Sequence, residues 1–526
     1  MKRRNFVKTA SLSLSVPFFL GGNSVKAFGR ESLLTSLLDQ GTFEDRVLVL
    51  VQLNGGNDGL NTLVPLDQYA NLFKARENVI LPEASLNQTK LNDTSALHPI
   101  MTGWKDLYDT EKLGVIQSVG YPNPNFSHFR STDIWTSATD SEIVDTTGWM
   151  GRYFKDHHPA FPEGYPNETH PDPLAITIGN RVSQTCQGPS VNLGMAITNL
   201  NPTGALVEQS LDNVDSRYAN ELNFLRLTMA QTNQYNAVIQ MAASNVEQNR
   251  SDLYPDTKLA DELRIVARLI AGGLKTKLYI VDLGGFDTHA NQVDGVNSPD
   301  QAGAHFELLK NLSESVHAFQ DDIEKLGLAD RVLGMTFSEF GRRIGSNDSN
   351  GTDHGAAAPL FLFGSKVNPQ LLGTNPIIPD EVAVKDNLPM QFDFRSVYGS
   401  VLHQWFGAPE EEVSEYLFGS FENLPILKNE ISTSIETGIK TQLTLGQNYP
   451  NPFFNTTRIP VVLSQSRHIK ISVYDAIGRE MKVLLEKRLG AGPHEIPLDG
   501  SDLKPGTYYY RLQTGHHQKM KAMLKR

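Results

Sequence analysis

The chain alternates short, wholly apolar runs with longer amphipathic stretches over most of its length. Six runs rich in Val, Ile, Leu and Phe end at glycine or polar residues: 46–53, 113–119, 175–178, 277–283, 331–337 and 359–363. Runs of this length, bounded by turn-forming residues, are typical of β-strands. Because they are apolar throughout rather than alternating, they predict strands that are buried on both faces.

Four stretches between these runs place apolar residues at helical spacing: 97–108, 219–248, 258–271 and 305–326. Strands that alternate with helices are usually joined by right-handed crossovers and pair in parallel. We therefore predict a doubly wound, mainly parallel α/β sheet within residues 30–427.

The pattern changes after a polar, loop-like segment at residues 428–444. From residue 445 onward, strand-like runs at 468–474, 481–485 and 507–513 are separated by turn-forming segments that contain glycine and proline. This spacing predicts a small all-β sandwich over residues 445–526. A carbohydrate-binding or adhesion module is the alternative interpretation of the same pattern.

Residues 1–29 have the composition of an export signal. Lys2, Arg3 and Arg4 precede a short apolar stretch, and small residues follow it. The paired arginines, with Phe6 two places on, resemble a twin-arginine signal, which implies the twin-arginine translocase as a partner and transit through the periplasm. An ordinary secretory signal is the alternative. The apolar stretch is too short for a membrane span, so we expect none in the mature chain.

The formal net charge is −12, and the two ends of the chain are basic, so the body is more acidic than the whole. An acidic surface repels phosphate backbones, and we expect no nucleic-acid partner. Cys186 is the single cysteine. It excludes an internal disulfide and a cysteine-based zinc site, and we interpret it as an inert thiol.

Polar clusters follow several predicted strands, where ligands of open parallel sheets bind. Asp58 lies after the first strand, Asp287 and His289 after the fourth, and Glu339 after the fifth; His354 lies in a predicted loop just before the sixth. Carboxylate and imidazole groups suit Zn²⁺, Mn²⁺, Mg²⁺ or Ca²⁺. The shared placement at one edge of a sheet predicts a divalent-metal site whose metal the sequence leaves open.

Each of these residues also has a purely structural interpretation. Asp58 could cap a turn, Glu339 could pair with Arg342, and His354 could be a solvated loop histidine. Ser127 lies where a helix begins, and a serine there is commonly an N-cap. The metal prediction therefore depends on the residues meeting in space rather than on any one spacing.

The order of these segments resembles a known family. The segments that carry the likeness are LVQLNGGNDGLN at 50–61, SHFR at 127–130, TGWMGR at 147–152, GFDTH at 285–289, SEFGR at 338–342 and DHG at 353–355. Together they resemble the bacterial domain of unknown function 1501 family, which is grouped with the alkaline phosphatase and sulfatase superfamily. The resemblance implies an alkaline phosphatase-like fold and metal-dependent hydrolysis, without a substrate.

Carried over by position, the resemblance implies a role for each candidate residue. Asp58, Asp287, His289, Glu339 and His354 would bind metal. Ser127 would be the nucleophile, with Arg130 or Arg342 stabilising charge. Phe340 departs from the pattern because it stands where a metal-binding histidine is expected, which puts a complete two-metal site in doubt.

The end of the chain resembles a second family. The segments NYPNPF at 448–453, VYD at 473–475, GR at 478–479 and LKPGTY at 503–508 precede a basic C-terminus. They resemble the type IX secretion C-terminal sorting domain, which implies the type IX machinery as a partner and a location at the cell surface or in the medium.

Taken together, the sequence predicts an exported, metal-dependent hydrolase of phosphate or sulfate esters, acting on a small-molecule or glycan ester. The alternative is a non-catalytic surface binding protein on an eroded hydrolase scaffold.

Overall fold

The computed structural model describes residues 17–20, 23–26, 45–200, 217–246, 248–294, 298–428, 444–446, 448–463, 467–475, 479–490, 492–514 and 517–526. Contacts divide the chain into two units, Met1–Asn429 and Glu430–Arg526. Most of the predicted export signal and of the predicted linker lies outside the described residues. Two short antiparallel strands, β1 (Pro17–Leu20) and β2 (Asn23–Lys26), precede the large domain.

The first unit contains thirteen further described strands. In chain order they are β3 Val47–Asn54, β4 Leu63–Pro65, β5 Ser95–Leu97, β6 Leu113–Gly120, β7 Ala175–Ile178, β8 Gly194–Ile197, β9 Leu278–Gly284, β10 Val332–Ser338, β11 Gly341–Asn347, β12 Gly351–Gly355, β13 Ala358–Phe363, β14 Leu371–Leu372 and β15 Phe392–Asp393.

The described helices of this unit are α1 Gly59–Thr62, α2 Tyr69–Ala75, α3 Thr102–Asp109, α4 His128–Ser137, α5 Trp149–His157, α6 Arg217–Asn245, α7 Lys258–Ala271, α8 Ala304–Lys325, α9 Phe394–Ser400 and α10 Glu410–Tyr416. Helix α7 shows how the sequence sets the ends: the Thr257 side chain accepts a hydrogen bond from the Ala260 backbone N–H, and Gly272 ends the helix. Such caps satisfy backbone groups that a helix end leaves unpaired.

Nine strands form the central sheet in the order β14-β6-β13-β10-β3-β9-β7-β8, with β15 also pairing with β6. All pairings are parallel except those of β13, which runs antiparallel to β10 and to β6. The mainly parallel sheet confirms the prediction, and all six predicted strands are present. The sixth is reversed because the β11–β12 hairpin, rather than a crossover helix, connects it to β10.

The sheet is buried on both faces. Along β3, Val47, Val49 and Val51 belong to one core, together with residues of α3, α7 and α8. Leu48 and Leu50 belong to a second core on the opposite face, together with residues of α4, α5 and α9. This arrangement explains why residues 47–51 are apolar without a break, since alternate side chains enter two different cores.

The second unit is all-β. Its strands are β16 Thr444–Leu445, β17 Thr456–Leu463, β18 Arg467–Tyr474, β19 Glu480–Leu489, β20 Gly492–Asp499, β21 Gly506–Thr514 and β22 His517–Lys525. They form two antiparallel sheets, β16-β17-β20 and β19-β18-β21-β22. Residues of both sheets, among them Ile459, Val461, Ile471 and Leu512, share one buried core. The prediction of a C-terminal all-β domain is confirmed.

None of the helices in the described part of the chain has the length and apolar character required to cross a bilayer.

Candidate metal centre

The site lies where segments from four parts of the chain meet beyond the ends of the sheet strands. The loop after β9 carries Asp287 and His289, and the β10–β11 junction carries Glu339. Helix α4 begins with His128. The segment around His354, predicted as a loop, is instead strand β12, which is paired antiparallel with β11. The hairpin thereby fixes the direction in which His354 projects.

Three imidazoles surround the Asp287 carboxylate. The Nε2 atoms of His354 and His289 lie 3.0 and 3.2 Å from Asp287 Oδ1. His128 Nε2 lies 3.4 Å from Asp287 Oδ2, on the other oxygen. The Nε2 atoms of His289 and His354 are 2.8 Å apart. Ligands around a tetrahedral metal with bonds of ~2.0–2.1 Å are separated by ~3.4 Å. The distances from the ring nitrogens to Asp287 are near that spacing, whereas the His289–His354 distance is shorter.

The other ring nitrogen of each histidine is held by an acceptor. His128 Nδ1 lies 2.8 Å from Glu339 Oε1, and His289 Nδ1 lies 2.9 Å from Asp353 Oδ1. His354 Nδ1 lies 2.8 Å from the Phe126 carbonyl oxygen. An acceptor at Nδ1 requires the proton there, so the lone pair of each neutral ring lies on Nε2. Each Nε2 is therefore the nitrogen nearest the Asp287 carboxylate. This is the orientation that metal-binding histidines show when a carboxylate or carbonyl holds the second nitrogen.

The protonation states fit this arrangement. Partial burial acts to raise the pKa of Asp287, but the neighbouring His354 and Arg342 side chains outweigh it and bring that pKa to about 2. Burial lowers the pKa of His354 against the opposing effect of Asp287. At neutral pH Asp287 is therefore charged and His354 is neutral, as metal ligands must be.

Arg342 is a buried structural cation within the site. It donates hydrogen bonds to the backbone carbonyls of Gly55, Gly56, Phe286 and Thr352 and to Asp287 Oδ1, the last at 2.9 Å. Its side chain is fully buried. The predicted role of Arg342 in holding a substrate anion is not supported by this geometry, because its donors already face carbonyls and Asp287.

Gly55 explains the glycine-rich turn after β3. Its φ is +122°, and a Cβ there would lie 2.2 Å from the Asp287 backbone nitrogen. Its N–H donates to Glu339 Oε1 at 2.8 Å, the same oxygen that holds His128. A glycine is required because only a backbone without a side chain can approach the Asp287 loop this closely.

Asp58 lies outside the cluster, in a buried network behind it. Its carboxylate accepts from Arg76 Nη1 at 2.9 and 3.0 Å and from Gln292 Nε2 at 2.6 Å. Burial acts to raise the pKa of Asp58, but Arg76 outweighs it and the pKa is lowered. The prediction that Asp58 binds the metal is therefore corrected: its charge is already neutralised by a buried guanidinium.

Gln292 connects that network to the site. Its Oε1 accepts from Thr288 Oγ1 at 3.1 Å and from Thr352 Oγ1 at 2.7 Å. Thr288 stands between Asp287 and His289, and Thr352 is two residues before His354. One amide thus ties together the two segments that supply three of the four converging side chains.

The two remaining predicted catalytic residues differ in position. Ser127 is exposed at the start of α4, between Phe126 and His128, and makes no side-chain cap bond. Arg130 turns away from the cluster, because its Nη2 donates to the carbonyls of Ser141 at 3.0 Å and of Ile143. The predicted role of Arg130 at the reacting centre is therefore corrected to fastening a loop.

Glu339 and Phe340 support the rings. Glu339 is buried and holds His128 through Nδ1, so it does not join the three Nε2 atoms around Asp287. The Phe340 ring lies against those of His128 and His354, with centroids 4.9 and 4.4 Å apart. Where the resembled family pattern places a histidine, this chain has an apolar wall.

Sequence reasoning missed His128 and Asp353. Among the residues that the structure describes, His128, Asp287 and His354 form the cluster of potential ligand atoms that all lie within 4.8 Å of one another. The signal for His128 was present in the SHFR segment, which follows the second strand, but the resemblance pointed to the serine of that segment. Asp353 adjoins His354 in the sequence and orients a different histidine.

Comparison with curated proteins finds no match. Solved structures with distant likeness include a protein in the alkaline phosphatase superfamily from Vibrio parahaemolyticus, at 9% identity and a TM-score of 0.33 over 80% of this chain and 76% of that one. A Bacteroides thetaiotaomicron structure described in connection with the metabolism of multiple glycosaminoglycans is 10% identical, with a TM-score of 0.36 over 87% of this chain and 90% of that one. A phosphonate monoester hydrolase from Silicibacter pomeroyi is 10% identical, with a TM-score of 0.30 over 91% of this chain and 88% of that one. Such values carry no argument about chemistry.

Two family models match the chain. Residues 447–526 match the secretion system C-terminal sorting domain, which implies the type IX secretion machinery and export to the cell surface or medium. Residues 45–406 match the model described as Protein of unknown function (DUF1501). That match spans more than half of the chain and includes every segment that builds the site, and the protein belongs to the DUF1501 family.

Proposed function

We propose that this protein is an exported, metal-dependent hydrolase of phosphate or sulfate esters. The observation that carries the proposal is the convergence of three Nε2 lone pairs on Asp287, each ring being fixed by an acceptor at Nδ1. Neutral rings and a carboxylate in this orientation are stabilised by a cation between them. Two imidazole nitrogens 2.8 Å apart repel each other electrostatically when neither a proton nor a cation lies between them.

His128, Asp287, His289 and His354 would hold the ion. A donor set rich in imidazole suits Zn²⁺ best among the ions considered, with Mn²⁺ next, because Mg²⁺ and Ca²⁺ prefer oxygen. When bound, a divalent metal polarises an ester oxygen and lowers the pKa of a hydroxyl or water. The buried Asp58–Gln292 network would keep the two ligand segments in register.

Ser127 is the proposed nucleophile. It is exposed, and its two chain neighbours both belong to the site, since the Phe126 carbonyl holds His354 and His128 is a ligand. Its Oγ would form a bond to phosphorus or sulfur while the ester oxygen leaves as the alcohol, taking up the serine proton. Water would then cleave the seryl ester, releasing phosphate or sulfate and restoring the serine.

The developing negative charge would be met by the N-terminus of α4, whose first backbone N–H groups lie beside Ser127. Neither Arg130 nor Arg342 takes this role in the proposal, because the hydrogen bonds of both are directed to carbonyls of the protein and, in Arg342, to Asp287. The proposal thus assigns the stabilisation of charge to the helix N-terminus and a metal ion, whereas the sequence suggested Arg130 or Arg342.

Metal content measured without chelators tests the proposal. We expect about one Zn²⁺ or Mn²⁺ per chain, lost in His128→Ala and in His354→Ala. The control variant, His317→Ala, should keep the metal, because His317 lies on α8 and its ring contacts Asp106 of α3. Hydrolysis would be screened on phosphate and sulfate monoesters with added Zn²⁺, Mn²⁺, Mg²⁺ or Ca²⁺. Equal metal content in all four proteins would contradict the proposed centre.

A serine pair tests the nucleophile separately. Ser127→Ala should keep the metal and lose hydrolysis by several orders of magnitude, whereas Ser141→Ala, in a nearby loop, should keep both. If Ser127→Ala hydrolyses esters like the unaltered protein, water rather than Ser127 is the attacking group.

A non-catalytic surface binding protein is the second candidate. Phe340 in place of a histidine and the engagement of Arg342 with carbonyls favour it, since both remove groups that a two-metal ester hydrolase would use. Bound metal without turnover of any ester in the screen would support this candidate over the enzyme.

A further inference from the structure

A cavity of about 310 Å³ is lined in part by chain segments that flank residues of the candidate metal centre. Residues 121–124 form one wall and residues 387–390 the other, with Ala356 between them. The volume falls at the lower end of the range for small-molecule sites, ~300–1,000 Å³. Nothing in the proposed chemistry uses this space.

The cavity and the metal centre are built from the same segments. Ala356 is two residues beyond His354, in the connection between β12 and β13. The loop that forms one wall continues to Phe126, whose carbonyl holds His354 at 2.8 Å. At the cavity floor, Tyr121 Oη lies 2.7 Å from Ser131 Oγ, which in turn donates to the Glu339 carbonyl. A group bound in the cavity would therefore lie beside the reacting centre.

The lining is uncharged. Prolines, Leu388 and Met390 provide apolar surface, while the only side-chain amides are those of Asn123 and Asn387. Two apolar side chains of these segments are exposed: Met390 of the lining is 38% exposed, and Phe129, next to His128 in the sequence, is 88% exposed. An uncharged lining in an acidic protein offers no counter-charge to a polyanion and little compensation for desolvating any charge.

We propose that this cavity binds the uncharged, partly apolar alcohol portion of the ester, so that the substrate is an ester of a neutral organic alcohol rather than of a polyanionic chain. The inference rests on the proposed function for the reacting centre. The two amides would provide directional hydrogen bonds to a hydroxyl or ether oxygen, and the apolar walls would bury a ring or chain.

Matched substrates test the inference. Benzyl, ethyl and 2-carboxyethyl esters, as phosphates or sulfates, differ in apolar bulk and charge at the group that enters the cavity. We expect kcat/KM for the benzyl ester to exceed that for the ethyl ester by about tenfold, from burial of the ring. The carboxyethyl ester should be the poorest. Equal values for benzyl and ethyl esters would overturn the proposal.

A charge placed in the wall provides the matched variants. Met390→Asp should abolish the preference for the benzyl ester, whereas Val384→Asp, an 81% exposed position nearby in the sequence but outside the lining, should retain it. A preference that survives Met390→Asp with a normal thermal melt would refute the assignment of the cavity.

A binding measurement separates failure of the cavity from failure of the proposed function. Saturation-transfer NMR with benzyl alcohol should show contact in the unaltered protein and in Val384→Asp, and none in Met390→Asp; 3-hydroxypropionate should show none. If no ester is hydrolysed but this pattern holds, the cavity stands and the hydrolase proposal fails. If benzyl alcohol does not bind the unaltered protein, the cavity inference fails whatever the activity.

Discussion

Replacing Asp58 with asparagine distinguishes a carboxylate that holds the fold together from one that binds a metal. Asp58 is fully buried, and three of its hydrogen bonds come from two donors, Arg76 and Gln292. The asparagine side chain would keep the shape of the carboxylate but lose its charge. Its amide nitrogen, which cannot accept a hydrogen bond, would face the N–H groups of Arg76 or Gln292. Arg76 would remain buried as an uncompensated cation.

The expected loss follows from the burial of the pair. Removing one partner of a buried ion pair destabilises a protein by ~3–5 kcal/mol. At ~2.1 cal/mol/K per residue, the entropy of unfolding of residues 45–428 is about 0.8 kcal/mol/K, so this loss lowers Tm by about 4–6 °C. Asp109→Asn, which breaks an exposed pair with Lys105 on α3, should change the free energy of unfolding by less than ~1 kcal/mol.

The assay is a thermal melt at pH 7 together with metal content. The folded-state pKa of Asp58 is lowered, so its contribution to stability is full above the unfolded-state pKa of ~3.9 and is lost as pH falls through the folded-state pKa. The difference between Asp58→Asn and the unaltered protein should therefore shrink in strong acid. In a double-mutant cycle with Arg76→Met, we expect a coupling of ~1–3 kcal/mol.

If Asp58→Asn melts within about 1 °C of the unaltered protein, far less than the shift expected for a broken buried pair, but has lost its metal, Asp58 is a ligand and the ion pair with Arg76 is incidental. A lowered Tm with metal retained supports the structural role.

Three further outcomes are expected. Burial lowers the pKa of His305 to about 4, so the contribution of the neutral ring to the free energy of unfolding is full above the unfolded-state pKa of ~6.5. The free energy of unfolding should fall by about 2 kcal/mol from pH 6.5 to pH 5, and urea unfolding of His305→Gln should show a smaller fall. Tyr510 Oη donates to the Gly446 carbonyl at 2.7 Å within the C-terminal domain, so Tyr510→Phe should destabilise that domain by about 1–2 kcal/mol in a melt, and Tyr509→Phe should not. Burial raises the pKa of Cys186 to about 12, so iodoacetamide should label it, by mass spectrometry, only after unfolding; rapid labelling of the native protein would contradict this.

The sequence by itself determined the fold class and most of the elements. Within the run 46–53, residues 47–51 are apolar without a break because their side chains enter two cores in turn, and that pattern is visible in the order of residues alone. The turn chemistry of the segment from residue 445 onward likewise indicated an all-β domain. These are local properties, since each depends on residues that are neighbours in the chain.

Part of the candidate site was also visible in the sequence. Asp287, His289 and His354 were expected to meet because the ends of parallel strands share one edge of a sheet, and their side chains do converge. Whether they bind a metal stays a proposal.

Only the tertiary structure decided which polar residues face the centre. Asp58 and His128 both follow sheet strands, yet Arg76 neutralises the first, whereas Glu339, far away in the chain, aims the second at Asp287. The reversed direction of β13 likewise follows from a hairpin rather than from its own apolar run. The physical reason for the different roles of Asp58 and His128 is that hydrogen bonds and ion pairs between distant segments depend on distances that the order of residues does not contain.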